Sequence, residues 1–235
     1  MQEVKALVFD VFGTVVDWRT SVAKEAQTFF TERGTTIDGY KFADDWRALY
    51  QPAMQACRSG ERPYTRLDDL HRENLEKLLK QYDLGGLSET EKQFLNFAWR
   101  RLQPWPDTVA GLTRLKQKFI IGTLSNGNIA LMVELAKRAG LPWDAILGAD
   151  VTRAYKPEPA SYIETVKVLG LQPHEVALVA AHNDDLHAAR DCGLQTMFVV
   201  RPTEHGPGQE IDLSAEEDWE VCADSLEDLA QKLGC

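Results

Sequence analysis

The chain has 235 residues, 44% of them apolar and 26% charged, with a formal net charge of -10. That length is enough to bury a full core and excludes a disordered chain. The negative charge argues against a general affinity for nucleic acid or anionic membrane, while leaving room for a locally basic pocket.

Residues 1–5 lack a basic segment followed by an apolar stretch and a cleavage site, so no leader is expected. The apolar run 5–9 ends at Asp10 and is followed by Gly13-Thr14, which predicts a buried strand that delivers a carboxylate to its C-terminal end and then turns. Apolar residues at helical spacing predict a helix over 21–30, stopped by Gly34, and further helices over 42–57, 65–82 and 88–102. No strand pattern interrupts this block. After Gln103-Pro104-Trp105-Pro106 the pattern alternates: helix 107–118, strand 119–124, helix 128–139, strand 145–149, helix 160–169 and strand 176–181. It continues with helix 184–191, strand 196–200, strand 219–222 and helix 225–233. Such alternation predicts an α/β fold, a Rossmann-like doubly wound parallel sheet with helices on both faces and a site at the C-terminal strand ends. Residues 1–16 and 103–235 then form the core, and 17–102 an inserted helical cap over that same edge of the sheet. No apolar run reaches membrane-spanning length, and Cys57, Cys192, Cys222 and Cys235 lack zinc-type spacing. A cytoplasmic protein with free thiols and no membrane partner is expected.

The strand ends carry Asp10 and Thr14, Ser125-Asn126, Tyr155-Lys156-Pro157, and His182-Asn183-Asp184-Asp185. An ionised carboxylate held against an sp3 carbon displaces a leaving group and forms an ester that water then hydrolyses. The bland reading of Asp10 is a cap on the following turn. In their order along the chain, Phe9-Asp10-Val11-Phe12-Gly13-Thr14, Leu124-Ser125-Asn126-Gly127, Tyr155-Lys156-Pro157 and Asp185 resemble the haloacid dehalogenase superfamily. More narrowly they are similar to the type II L-2-haloacid dehalogenases, and the resemblance runs over nearly the whole chain. It implies Asp10 as the nucleophile, Lys156 in a salt bridge beside it, and Asp185 orienting Lys156 and positioning water. Thr14 either orients the carboxylate or caps the next segment. Ser125 is expected to bind the substrate carboxylate, helped by backbone N–H groups at the next helix start, and Asn126 to donate to the departing halide. In the insert, Trp46-Arg47 matches an arginine-bearing motif, which makes Arg47 the candidate halide cradle, its alternative being a solvated helical arginine. Phe12, Trp46 and Tyr50 are candidates for the apolar wall, and Tyr155 is counted with the substrate-binding residues. The resemblance also implies a homodimer.

Position 12 separates subclasses. Phosphatases of the superfamily carry a second Asp two residues after the nucleophile, where it protonates the leaving alkoxide, and bind Mg²⁺ through acidic residues after the fourth strand. Phe12 and Ala181 stand at those places here. Halide leaves without a proton, so the expected enzyme is a hydrolase with no metal and no cofactor. It converts a short 2-halo carboxylic acid into the 2-hydroxyacid with inversion, and its partners are that acid and halide ion. The alternatives are a Mg²⁺-dependent small-molecule phosphatase and a retired fold that binds a small acid or a partner protein. One departure stands out: where the dehalogenase pattern reads Ser-Ser-Asn, with Asp three residues later, this chain has Ala180-Ala181-His182 and Asp185. His182 is accordingly a base toward the hydrolytic water, a hydrogen-bond partner of Asp185, or a structural histidine.

Overall fold

The computed structural model describes residues 4–235. In chain order, β1 (Ala6–Phe9) and β2 (Val16–Asp17) lead into five helices: α1 (Trp18–Thr31), α2 (Gly39–Ala48), α3 (Tyr50–Arg58), α4 (Leu67–Gln81) and α5 (Glu89–Asn96). A 3-10 turn at Phe97–Arg100 returns the chain to β3 (Gln103–Pro104), α6 (Thr108–Leu115), β4 (Ile120–Thr123), α7 (Ile129–Ala139), α8 (Ala149–Thr152) and α9 (Pro159–Val168). The last third holds β5 (Val176–Ala180), α10 (Asn183–Asp191), β6 (Gln195–Val199), β7 (Val221–Ala223) and α11 (Leu226–Lys232).

β1 lies inside a five-stranded sheet of order β4-β1-β5-β6-β7, with every pairing parallel. Buried on both faces, β1 and β5 read as unbroken apolar runs instead of alternating ones. Leu7 and Phe9 point into one apolar cluster, which continues into the helical insertion, while Ala6 and Val8 point into the other. β2 and β3 pair antiparallel, Val16 with Pro104 and Asp17 with Gln103, so the chain enters and leaves the insertion side by side. The insertion's helix starts are chemically marked. Asp17 accepts from the Thr20 N–H, Asp38 accepts from the Lys41 N–H, and Ser88 and Glu91 form a reciprocal capping box.

Two expected elements differ. The helix over 42–57 is two helices broken at Leu49, because Pro52 has no N–H to give to Ala48 and its ring crowds that carbonyl. The strand over 145–149 is only a pair of isolated bridges, Gly122 with Ala145 and Ser125 with Gly148, followed by α8. Side chains take the ladder's place there: the Thr123 hydroxyl donates to the Leu147 carbonyl at 2.7 Å and accepts from the Leu147 N–H at 2.9 Å, and Asp144 accepts from the Ile121 N–H. All four cysteines are free thiols, and no helix among the described residues is long and apolar enough to cross a membrane.

Candidate active site

The C-terminal ends of β1, β4 and β5 converge on one buried ionic cluster. Asp10, the residue after β1, is 6% exposed; Lys156 and Asp185 are each 8% exposed. Lys156 Nζ lies 2.9 Å from Asp10 Oδ1 and also donates to Asp185 Oδ2, while Tyr162 Oη donates to the other oxygen of Asp185 at 2.7 Å. Thr14 Oγ1 donates to Asp10 Oδ2 at 2.8 Å and accepts from the Ala181 N–H at 2.9 Å. Its hydroxyl therefore has one orientation available, aimed at the carboxylate. Charges this deep are tolerated only when each is paired and hydrogen-bonded, which the cluster achieves.

Burial alone would raise the Asp10 pKa, but the Lys156 charge and the His182 hydrogen bond hold it well below the usual carboxylate range. Burial would likewise lower Lys156, yet Asp10 and Asp185 push it above its ordinary value. Asp185 moves the other way from Asp10: burial and the neighbouring Asp10 charge raise it. Asp10 is thus the carboxylate kept ionised. The residues after β5 do not fit a phosphatase-type Mg²⁺ site, because Ala181 offers no oxygen and both oxygens of Asp185 are engaged by Lys156 and Tyr162.

His182, at the start of α10, sits between two carboxylates, with Nδ1 at 3.2 Å from Asp10 Oδ2 and Nε2 at 2.9 Å from Glu204 Oε2. Burial would lower its pKa, but the Glu204 charge and the Asp10 hydrogen bond raise it well above the ordinary histidine value. His182 does not hydrogen-bond Asp185, whose two carboxylate oxygens accept from Lys156 and Tyr162.

A cavity of about 760 Å³ opens onto Asp10, with Phe12, Arg47, Tyr50, Asn126, Lys156 and His182 also in its wall. Arg47 projects from α2 with its guanidinium carbon 4.0 Å from the centre of the Tyr50 ring and 5.3 Å from that of Trp18. Its Nη1 is buried and has no hydrogen-bond partner among the described residues. An unpaired buried guanidinium N–H is costly in isolation, and an anion in the cavity removes that cost. Asn126 is fixed at both ends of its amide: Oδ1 accepts from the Lys156 N–H at 2.8 Å and Nδ2 donates to Tyr50 Oη at 3.1 Å.

Other expected site residues lie elsewhere. Ser125 Oγ accepts from the Gly127 N–H at 3.1 Å and borders a small separate crevice. Tyr155 is fully buried and does not line the cavity; its hydroxyl donates to the Thr65 carbonyl at 2.5 Å, tying the insertion to the sheet domain. Trp46 is also withdrawn, one layer behind the wall, with its indole N–H on the His71 carbonyl and its ring edge-on to Trp99. Trp46 thus does not form the apolar wall expected of it, nor Tyr155 a substrate contact, because residues adjacent on a helix or turn point in different directions. Glu204, Trp18 and Tyr162 escaped the sequence reading. Glu204 lies in a loop with no motif or period, and its only signal was the adjoining His205 in a stretch after a strand end.

A parallel sheet with a buried carboxylate after its first strand, a lysine bridging it to a second carboxylate and a helical insertion is the arrangement of a known class of hydrolase. A family model for haloacid dehalogenase-like hydrolases matches residues 4–193, and the chain belongs to that family. It is 32% identical over 217 residues to an (S)-2-haloacid dehalogenase of Xanthobacter autotrophicus, covering 88% of this chain and 79% of that protein. The solved structure of a defluorinating L-2-haloacid dehalogenase superposes with a TM-score of 0.97 at 49% identity, covering 99% of this chain and 96% of the other. The Xanthobacter autotrophicus L-2-haloacid dehalogenase with chloropropionic acid covalently bound superposes with a TM-score of 0.80 at 26% identity, covering 98% of each chain.

Proposed function

We propose that this protein hydrolyses the carbon–halogen bond of short (S)-2-haloacids, giving the 2-hydroxyacid and free halide through an ester on Asp10. One observation carries the reading. An ionised Asp10 faces a cavity in which the neighbouring position 12 is an apolar Phe and the free cationic donor is Arg47. That combination suits expulsion of halide, which needs an anion cradle and no proton donor. The covalently bound chloropropionic acid in the Xanthobacter autotrophicus structure supports a covalent route.

In the first step an Asp10 oxygen attacks the halogen-bearing carbon in line, inverting it, and the halide departs toward Arg47 and the remaining N–H of Asn126. Lys156 and Thr14 hold the carboxylate in place and ionised. Water then attacks the ester carbonyl, so the hydroxyacid keeps the inverted configuration. Residues 17–102 serve as a cap that brings Arg47 and Tyr50 to the sheet's edge, and 1–16 with 103–235 as the catalytic core. The Lys156 ammonium stands between the two carboxylates, so no metal is required. The test is halide release from each enantiomer of 2-chloropropionate, with chloroacetate and fluoroacetate alongside, in EDTA and then in Mg²⁺. The expected outcome is EDTA-resistant release from the L-enantiomer, abolished in Asp10→Asn. Phosphate release that depends on Mg²⁺, with no halide from any haloacid, overturns the proposal.

A further inference from the structure

Glu204 is the most deeply buried carboxylate near the site, 1% exposed, and the fold is shaped around it. Oε1 accepts from the Trp18 indole N–H at 2.9 Å, and Oε2 lies 2.9 Å from His182 Nε2. The carboxylate fills the space beside Gly13, where a Cβ would come within 2.1 Å of Oε1, and Gly13 also has a φ of +92°. Gly13 thus admits the carboxylate as well as the turn after the nucleophile. The loop that carries Glu204 is pinned by Arg201, which donates to the Thr14 carbonyl at 2.9 Å and pairs with both oxygens of Asp107. A carboxylate so seated holds the imidazole in one orientation, with Nε2 toward Glu204 and Nδ1 toward Asp10.

In the resting site His182 lies between two negative charges, and the inner groups balance: Asp10, Asp185 and Glu204 against Lys156, His182 and Arg47. Esterification changes this, because an aspartyl ester carries no charge. His182 then loses the Asp10 half of its electrostatic support and keeps the Glu204 half, which hydrogen-bonds Nε2–H and leaves Nδ1 as the ring atom facing the ester. Building on the dehalogenase reading above, we propose that Glu204 and His182 form a general base that is silent while Asp10 is free and is switched on by esterification of Asp10, to activate the water that hydrolyses the ester. His182 Nδ1 lies 3.2 Å from an oxygen of the carboxylate, so a water approaching the attached carbon passes within hydrogen-bond reach of it. Asp185, the other acidic group here, has both oxygens engaged by Lys156 and Tyr162, and Ala180-Ala181 supply no hydroxyls.

The protons balance over one turnover. Imidazolium His182 and carboxylate Asp10 meet the haloacid; the carbon–oxygen bond forms, the carbon–halogen bond breaks, and halide leaves with the bonding pair. The imidazolium, no longer beside the Asp10 carboxylate, gives its Nδ1 proton to solvent and keeps Nε2–H on Glu204. Water attacks the ester carbonyl carbon and passes one proton to Nδ1, regenerating imidazolium. Collapse of the tetrahedral adduct breaks the carbonyl carbon–oxygen bond, and the adduct's hydroxyl proton goes to the departing alkoxide, which leaves as the hydroxyacid. Asp10 is again a carboxylate, and the net products are hydroxyacid, halide and one proton. The groups facing His182 are Asp10 from the end of β1 and Glu204 with His205 from the 204–205 loop, the latter's Nε2 3.8 Å from Glu204. Lys156, on the other oxygen of Asp10, and Arg47 also line the cavity. Within this scheme Glu204 is a positioning residue and His182 a catalytic one.

The test separates the two half-reactions by rapid quench with L-2-chloropropionate in EDTA, following halide and the mass of the Asp10-containing peptide. Glu204→Gln and His182→Gln are each expected to release about one halide per site at close to the wild-type rate. They then stall as the Asp10 ester, with steady-state turnover down by about 10²- to 10⁴-fold, the usual worth of a general base. Two variants guard against loss of folding in one. Wild-type turnover in both without accumulated ester overturns the inference, and so does an equal loss of burst and turnover, which marks a purely structural role. A wild-type protein that releases no halide overturns the dehalogenase reading itself, and this inference with it.

Discussion

Lys156 pairs with both buried carboxylates at the end of the sheet, Asp10 and Asp185. It is the only cation that contacts both Asp10 and Asp185 among the described residues, and burial is the largest influence on each of the three groups. Replacing it by Met leaves two buried carboxylates facing each other, and removing one partner of a buried pair commonly costs about 3–5 kcal/mol. Lys156→Met is therefore expected to lower the unfolding free energy by that order at neutral pH, read as a lower midpoint in denaturant unfolding. The sign of the pH effect follows from the direction of the Asp10 shift. A carboxyl depressed in the folded state contributes stability that is present above its unfolded pKa, near 3.9, and is lost as pH falls through its folded value. Without Lys156 the burial of Asp10 is less opposed, so the acid limb of single-turnover halide release moves to higher pH. An unmoved limb assigns the depression to His182 alone.

Packing between elements is set in places by a single small residue. α6 and α11 touch at Gly111, where a Cβ would lie 2.6 Å from the Leu226 backbone carbon. Gly111→Ala forces the helices apart and is expected to destabilise the fold by about 1–3 kcal/mol, as overpacking does. Because neither α6 nor α11 supplies a residue to the cavity wall, kcat at a permissive temperature should stay at the wild-type level; a change in both quantities means the packing shift is transmitted to the site. The elements themselves were legible to different degrees. β1 and β5 were evident because four or five consecutive apolar residues bounded by turns leave few alternatives. The segment 145–149 has a similar apolar look, yet Leu147 pairs with the Thr123 hydroxyl, and the Ile121 N–H of β4 goes to the Asp144 side chain. Such side-chain substitution for a ladder has no period to read. The break between α2 and α3, by contrast, was written in Pro52 and was overlooked.

At the scale of the whole molecule, the insertion is latched to the sheet domain by buried polar pairs. Asp68 of α4 accepts from Asn128 Nδ2 at 2.8 Å, its N–H donates to Asn128 Oδ1 at 3.1 Å, and Arg100 pairs with the same carboxylate at 2.6 Å. Tyr155 adds its hydrogen bond to Thr65. Asn128→Ala removes two of these bonds, one to a charged group, and is expected to cost about 1.5–3 kcal/mol. If the insertion acts as a cap, KM for L-2-chloropropionate rises with that loss more than the first-turnover rate falls, since Arg47 and Tyr50 reach the cavity from the insertion. Equal change in both speaks for a rigid single body. The sequence alone determined the class of fold and the presence of a helical insertion in it, and it singled out Asp10, Thr14, Lys156 and Asp185, whose side chains the structure joins by hydrogen bonds. Those features depend on short-range period and on motifs whose residues lie at strand ends, and strand ends of a parallel sheet necessarily meet at one edge. Only the tertiary structure decided that Tyr155 and Trp46 turn away from the cavity, that Arg47 keeps an unpaired N–H toward it, and that Glu204 braces His182. These depend on the direction of single side chains and on a loop that returns to Gly13 from 191 residues further along the chain, a meeting that no local pattern encodes.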